Sequence, residues 1–208
     1  MTNKEFVKKH FNDAYSVAKD SGIFVETLLG QSILESSSGK SLLSTKYNNY
    51  FGIKADKSWN GKSVNMKTGE VFNGKPTTIN ANFRVYNSFQ DSAKDYINFL
   101  KNNPRYQNSG VFNAKNIEQQ IQAIKDGGYA TATNYVSNVM KIVRGIKDEV
   151  VNLAKSFKPK ESIKDESKKS ATNKLKTENK YNKIKIVALV SLGIISGYIL
   201  LKTTKIIK

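Results

Sequence analysis

The spacing of apolar residues changes character twice along the first 154 residues of this chain. Apolar residues recur every three or four positions in residues 5–20 and again from Val25 to Ile33, which predicts two helices. From Tyr50 to Tyr86, Gly, Asn and Thr are frequent and short apolar runs alternate with turn signals, which favours short strands. Helical spacing then returns as far as Leu153. The order predicts an α+β domain over residues 1–154, mainly helical with a small β lobe.

The pattern also predicts where individual elements begin and end. Extended segments are expected at Tyr50–Lys54, Ser63–Lys67, Glu70–Phe72 and Thr77–Val85, with turns at Thr68-Gly69 and Asn73-Gly74. Ser88 is a candidate N-cap, and the helix that it begins should end at Asn102-Asn103-Pro104. Two more helices are predicted over Asn116–Lys125, stopped by Gly127-Gly128, and over Asn134–Leu153.

Beyond this domain the composition changes sharply. Residues 155–185 carry 11 Lys against four acidic residues and few large apolar groups, which predicts a basic disordered linker. Residues 186–201 carry no charge, and we interpret them as a transmembrane helix flanked by Lys185 and Lys202, rather than as a buried core helix. Residues 202–208 form a basic tail. The N-terminus lacks the apolar run of a secretory signal peptide.

Composition excludes several kinds of site. The chain contains no Cys and a single His, His10, so disulfides and zinc sites built from Cys or clustered His are excluded. We predict no metal and no other cofactor. The formal net charge of +17 favours an anionic partner, which could be nucleic acid, anionic lipid or the acidic polymers of a bacterial wall. Because the Lys-rich segment lacks interleaved aromatic residues, no specific nucleic-acid partner is predicted.

Glu35 is the first candidate for a catalytic group. It lies seven positions after Leu28 and extends an otherwise apolar helical stripe, at the C-terminal end of the second predicted helix. Partial burial and the helix dipole would both raise its pKa, and a carboxylic acid that keeps its proton near neutral pH is what a glycosidase uses to protonate a leaving oxygen. The alternative is an ordinary solvated surface carboxylate.

Three further residues have a functional and an ordinary interpretation. Glu70 is the only acidic residue between Asp56 and Asp91, and it is either a second catalytic carboxylate or a solvated hairpin charge. Tyr129, after Gly127-Gly128, either reaches into a cleft or packs in the core. Trp59 offers a ring on which a sugar could stack, or simply packs against its neighbours.

Taken together, these motifs resemble glycoside hydrolase family 73, the glucosaminidases of bacterial autolysins and of the flagellar rod-cap hydrolase. The Gln31–Ser41 segment, QSILESSSGKS, is similar to the catalytic-helix motif of the family. Further matches follow in the same order at Asn48–Ala55, at Glu70 with Asn73-Gly74, and at Phe83–Tyr86, Asp95-Tyr96, Asn103–Tyr106 and Gly128–Thr131. Two departures stand out, because the family often has Gly and an aromatic residue where Ser37 and Ser38 stand, and Asp-Pro where Ala132-Thr133 stand.

The resemblance implies a lysozyme-like fold and cleavage of the β-1,4 bond after N-acetylglucosamine in peptidoglycan. By the same match, Glu35 is the general acid, and Glu70 activates water or stabilises the sugar cation. Tyr129 positions either the N-acetyl group of the substrate or the reacting sugar. A route that uses the substrate's own acetamido oxygen remains open. The residues expected to bind substrate are Gln31, Ser36, Asn49, Tyr50, Trp59 and Tyr135.

Other functions remain open on the same sequence. A muramidase or a lytic transglycosylase would use the same scaffold, and a non-catalytic wall-binding protein anchored in a membrane would tolerate the loss of Glu35. The heavy Lys content before residues 186–201 favours a cytoplasmic location for the domain if that segment inserts in an inner membrane. A phage protein held in a virion or host membrane, or timed for lysis, reconciles that location with an action on the wall. The oligomeric state is not predicted.

Overall fold

The computed structural model describes residues 1–72 and 75–156, with side chains from residues 1–69 and 77–156. The helices are α1 (Asn3–Ala18), α2 (Val25–Glu35), α3 (Leu42–Tyr47), α4 (Phe89–Asn102), α5 (Pro104–Asn108), α6 (Ile117–Asp126) and α7 (Tyr135–Ser156). The strands are β1 (Ser63–Phe72) and β2 (Lys75–Arg84). The Asn73-Gly74 turn, nearly all of the predicted linker, the predicted membrane segment and the basic tail lie outside the described residues.

The helical core forms around α1, which packs against α2, α4 and α7. Thr2 caps α1 in a capping box with Glu5. Apolar side chains at helical spacing, among them Phe6, Phe11 and Ala14, are at most 1% exposed. No helix in the described ranges is both long enough and apolar enough to cross a membrane.

Helices α2 and α7 approach each other closely at Gly30. A Cβ atom at this position would lie 2.8 Å from Val143 Cγ2 and 3.2 Å from Val139 Cγ1. Only a residue without a side chain leaves room for this approach. The contact fixes the C-terminal half of α2 against the N-terminal half of α7.

The β lobe is one two-stranded antiparallel hairpin, in which Ser63 pairs with Arg84 and Phe72 pairs with Lys75. The prediction of a turn at Thr68-Gly69 was wrong, because both residues lie inside β1, where they pair with Ile79 and Thr78. The extended segment predicted at Tyr50–Lys54 was also wrong as a strand. Only Lys54 makes a strand-like bridge there, to Phe83.

A polar cluster anchors the base of this hairpin to α4. Arg84, at the end of β2, donates from Nη1 to both carboxylate oxygens of Asp95, at 3.2 and 2.9 Å. Its Nε donates to the Lys54 carbonyl oxygen at 3.2 Å. The Tyr86 hydroxyl donates to the same Asp95 at 2.7 Å. Because charged groups are costly to bury without partners, this set of contacts holds the hairpin in one orientation.

Several of the predicted helix boundaries are confirmed. The Ser88 side chain accepts from Asp91 N and caps α4. Helix α6 ends at Asp126 with Gly127 as its C-cap, and Gly128 follows in the left-handed region with φ 82°. Pro104 does not simply end a helix, since it also occupies the first position of the short helix α5, where its missing N–H has no intrahelical partner to lose.

Candidate functional site

Glu35 is the last residue of α2, and it is exposed to solvent although many protein atoms lie near its carboxyl group. Burial raises the pKa of Glu35 to about 7, and the nearby Tyr135 hydroxyl lowers this pKa in part. The carboxyl group is therefore about half protonated near neutral pH. A group in that state can give up a proton and recover it at the same pH.

Two tyrosines stand near this carboxyl group. The Tyr129 hydroxyl donates to the Phe51 carbonyl oxygen at 2.8 Å, and its ring lies 6.2 Å from the Tyr135 ring. Burial, and next the charge of Glu35, raises the pKa of Tyr129 well above the usual value for a phenol. Tyr129 is half-buried, and its bond to the Phe51 carbonyl oxygen fixes the hydroxyl end of the side chain.

Behind Glu35 lies a chain of buried hydrogen bonds. The Tyr96 hydroxyl donates to Gln31 Oε1 at 2.5 Å, and Gln31 Nε2 donates to the Tyr135 hydroxyl oxygen at 2.7 Å. Gln31 and Tyr96 are 0% exposed and Tyr135 is 4% exposed. Gln31 and Tyr135, predicted as substrate contacts, are thus placed next to Glu35 but under the surface.

The loop after Glu35 is built by Ser36. This side chain is fully buried, donates to the Ser32 carbonyl oxygen at 2.5 Å and accepts from Gly39 N at 2.8 Å. Ser37 and Ser38 both have left-handed backbone, with φ 53° and 58°. Ser36, another predicted substrate contact, therefore closes a tight turn that ends α2 directly after Glu35.

Asn49 and Tyr50 are buried as well, at 1% and 6% exposure. Asn49 Nδ2 donates to the carbonyl oxygens of Ile53 and Arg84, at 3.0 and 2.9 Å. The Tyr50 ring packs edge-on against Phe89, with the ring centroids 5.0 Å apart. The two predicted substrate contacts fix the segment whose Phe51 carbonyl holds Tyr129.

Trp59 lies at the base of the hairpin rather than next to the Glu35 cluster. The Arg84 guanidinium carbon lies 4.5 Å from the centre of its ring, and its Nε1 donates to the Lys62 carbonyl oxygen at 3.0 Å. A Cβ atom on Gly61 would lie 2.3 Å from the ring. The ring thus has protein neighbours of its own, and it lines a shallow cavity of about 420 Å³ together with Tyr86, Lys94 and Asn98.

Glu70 lies in β1 and pairs with Thr77 of β2. Glu70 therefore belongs to the hairpin and not to the helical core. The sequence had also predicted a place in the β lobe. The role of Glu70 as a second carboxylate stays a prediction.

Tyr96 is the residue that sequence reasoning missed. The Asp95-Tyr96 pair was one of the family-like motifs, and the helical spacing of α4 indicated a core position, but neither signal gave the tyrosine a polar partner. The Tyr96 ring also stacks on Phe51, with the ring centroids 4.2 Å apart. It therefore contacts both the segment that holds Tyr129 and the glutamine beside Glu35.

Comparison with known proteins gives the same relatives by sequence and by structure. Over 154 residues the chain is 38% identical to the peptidoglycan hydrolase FlgJ of Vibrio cholerae. This alignment covers 73% of this chain and 45% of that protein. It is 36% identical over 148 residues to a probable N-acetylmuramidase of Lactococcus lactis, covering 68% of this chain and 33% of that protein. The chain spans about half the length, or less, of these curated relatives.

A solved structure shares the fold. The glycoside hydrolase domain of Salmonella typhimurium FlgJ, in a C-terminally truncated form, superposes with a TM-score of 0.58 at 32% identity. The match covers 71% of this chain and 99% of that domain. The predicted lysozyme-like fold of helices with a small antiparallel sheet is confirmed for this part of the chain.

The family model described as mannosyl-glycoprotein endo-β-N-acetylglucosaminidase matches residues 11–148. That range contains all of α2 to α6, the hairpin and most of α7. Because this match covers well over half of the chain, the chain belongs to the glucosaminidase family of glycoside hydrolases.

Proposed function

We propose that this chain hydrolyses the glycan strands of bacterial peptidoglycan, at the β-1,4 bond after N-acetylglucosamine, with Glu35 as the general acid. The observation that carries the proposal is the carboxyl group of Glu35 at the end of α2, whose pKa burial raises to about 7. A carboxylic acid with this pKa is still protonated in about half of the molecules at neutral pH and can deliver that proton to the leaving glycosidic oxygen.

The substrate class follows from the relatives and from charge. Peptidoglycan is named in the FlgJ relatives, and N-acetylglucosamine is named in the family description. A net charge of +17 also suits a substrate embedded in acidic wall polymers.

Glu70 is the proposed second carboxylate. In this role it would activate water or stabilise the positively charged sugar. In a substrate-assisted reaction the acetamido oxygen would take this place, and Glu70 would only support it. We expect Glu70→Gln to lower the rate far more in the first case than in the second.

Tyr129 is proposed to position the reacting sugar. Its hydroxyl is held by the Phe51 carbonyl oxygen, so its ring has a fixed orientation beside Glu35. A rigid aromatic edge next to the acid would orient the sugar before proton transfer.

The test is digestion of purified peptidoglycan by the full chain, with the new reducing ends read by mass spectrometry. Glu35→Gln should abolish cleavage. Glu26→Gln is the matched control, because Glu26 lies in the first turn of the same helix and its pKa is also raised by burial. It should leave cleavage unchanged.

The products decide between the candidate reactions. N-acetylglucosamine ends support the proposal. N-acetylmuramic acid ends would make the chain a muramidase, which the Lactococcus relative favours, and 1,6-anhydro ends would make it a lytic transglycosylase. Equal binding of walls by wild type and Glu35→Gln, without cleavage by either, would indicate a wall-binding protein.

We further propose that a phage encodes the chain and that residues 186–201 anchor it in a virion or host membrane. The support is the uncharged run between Lys185 and Lys202, preceded by the Lys-rich segment. The full chain should float with lipid vesicles, and a variant that lacks residues 186–201 should not. Constitutive secretion by an uninfected bacterium would contradict the phage setting.

A further inference from the structure

We propose that the buried chain Tyr96–Gln31–Tyr135 is a positioning device that commits the Tyr135 hydroxyl to donate to the Glu35 carboxyl group. The inference rests on the proposed function, in which Glu35 is the acid. None of the three residues needs to touch the substrate for this role, which distinguishes it from the predicted substrate contacts.

The direction of the chain follows from which atoms carry protons. Gln31 Oε1 has no proton, so the 2.5 Å contact with Tyr96 requires the Tyr96 hydroxyl to donate. Gln31 Nε2 then faces Tyr135 and donates to its oxygen at 2.7 Å. A phenol that accepts this bond keeps its single proton for another acceptor. In the proposal that acceptor is the Glu35 carboxyl group, which lies one helical turn after Gln31 on α2 and interacts electrostatically with Tyr135.

The reversed amide would break this arrangement. With the Gln31 amide turned round, Oε1 would accept from Tyr135, and the Tyr135 proton would no longer be available to Glu35. The Tyr96 hydroxyl, which is 0% exposed, would then lose Oε1 as its acceptor. An unpaired buried donor is costly, so Tyr96 fixes the amide in the first orientation.

The hydrogen-bond chain is formed by residues from three helices. Gln31 lies one turn before Glu35 on α2, Tyr96 lies on α4, and Tyr135 is the first residue of α7. The close contact of α2 with α7 at Gly30 brings Gln31 next to Tyr135. The geometry of the acid therefore depends on the packing of all three helices.

Donation by Tyr135 has a chemical consequence. A hydrogen bond to the carboxylate stabilises the ionised form, so it lowers the pKa of Glu35 against the larger effect of burial. Tyr135 itself stays protonated throughout the working range, because burial, and next the charge of Glu35, raises its pKa far above the usual value. The donor is thus permanent, and it leaves the other carboxyl oxygen to carry the catalytic proton.

The direct test is a ¹³C NMR titration of the full chain labelled at its Glu carboxyl carbons, with Glu35 assigned as the signal that Glu35→Gln lacks. Tyr135→Phe should raise the midpoint of the Glu35 titration by about one pH unit, because it removes the donor and keeps the ring. Tyr96→Phe should raise it by a smaller amount, because Tyr96 is separated from Glu35 by Gln31 and Tyr135. Tyr106→Phe removes another buried hydroxyl, which accepts from Arg105, and should leave the midpoint unchanged.

An unchanged or lower midpoint in Tyr135→Phe would overturn the proposal, and an unchanged midpoint in Tyr96→Phe would overturn the chain beyond Tyr135. Digestion of peptidoglycan at a series of pH values tests the hydrogen-bond chain separately from the proposed enzymatic function. If the basic limb of the rate profile moves up with the NMR midpoint, both hold. If the Glu35 midpoint moves but the protein digests no peptidoglycan, the hydrogen-bond chain stands and the proposed enzymatic function is rejected. If digestion depends on Glu35 but the midpoint does not move, only the hydrogen-bond chain is rejected.

Discussion

At the scale of single residues, the sequence indicated Glu35 as a candidate acid but did not indicate how the residues around it contact one another. Glu35 could be predicted because a carboxylate that extends an apolar helical stripe is chemically conspicuous. The motif around it also contains Gln31 and Ser36, but a motif does not tell which way a side chain faces. Both are 0% exposed and bond to other parts of the protein, which only the packed structure reveals.

His10 gives the first prediction at this scale. Its ring is stacked 4.3 Å from Phe89, its Nε2 is buried without a partner, and burial lowers its pKa to about 4. Because the folded pKa lies below the unfolded value of about 6.5, the stability linked to His10 is complete above pH 6.5 and is lost as the pH falls towards 4. We expect a loss of about 1–2 kcal/mol in the free energy of unfolding between pH 7 and pH 5.

Urea unfolding at the two pH values measures this loss. Glu26 and Glu35, whose folded pKa values are raised, contribute in the opposite sense as the pH falls, so wild type must be compared with His10→Phe. The substitution should remove the loss assigned to His10. An equal pH dependence in both proteins would contradict the assignment.

Ser37 gives the second residue-scale prediction. Its φ of 53° lies in the left-handed region, its side chain is exposed, and glycine adopts this backbone without the steric cost of a Cβ atom. Ser37→Gly should therefore raise the free energy of unfolding by about 0.5–1 kcal/mol. Ser37→Ala keeps the Cβ atom and should give no gain, so equal thermal unfolding of the two variants would show that backbone strain is not the cause.

At the scale of elements, the helices were predictable and the β lobe was only partly so. Helical spacing and caps are local signals, and Ser88 and Gly127 indicated boundaries of α4 and α6 correctly. Strand pairing is not local. Thr68-Gly69 has the composition of a turn, yet the ladder to β2 continues through it because its partners on both sides are in register.

The contact of α2 with α7 can be tested at Gly30. Gly30→Ala places a Cβ atom 2.8 Å from Val143, so the helices must separate, and we expect a loss of about 1–3 kcal/mol in unfolding free energy. Gly145→Ala on α7 is the matched control. No atom lies within 4 Å of the added carbon there, and alanine favours the helix, so stability should rise by up to about 1 kcal/mol. Chemical denaturation of both variants measures the difference, and a stable Gly30→Ala protein would disprove the close packing.

The anchor of the hairpin can be tested at Arg84. Arg84→Lys keeps the charge but loses the paired bonds to Asp95 and the bond from Nε to the Lys54 carbonyl oxygen. Amide exchange in β1 and β2 should become faster by about tenfold or more, since the hairpin would open more often. Asn65→Ala, which removes an exposed side-chain pair within the hairpin, should change exchange little. Unchanged exchange in Arg84→Lys would mean that other contacts hold the lobe.

At the scale of the whole molecule, the positive charge is concentrated outside the catalytic part. Residues 155–185 carry 11 Lys and four acidic residues, a net charge of +7, and the proposed substrate lies among acidic wall polymers. Charge of this kind acts over the screening length of the solution, which is about 10 Å at 0.1 M salt. It should therefore increase binding to the wall without changing the chemistry at Glu35.

Replacing five lysines of this segment by Gln tests the idea in the full chain, at positions 158, 160, 164, 168 and 169. The variant should bind whole walls about tenfold more weakly at low salt, because electrostatic attraction to anionic polymers is reduced. The difference should disappear near 0.5 M salt, and it should also disappear on walls stripped of their anionic polymers. If the segment instead contacts the glycan itself, the loss of binding will persist on stripped walls. Sedimentation with intact and stripped walls at two salt concentrations distinguishes attraction to the anionic polymers from contact with the glycan.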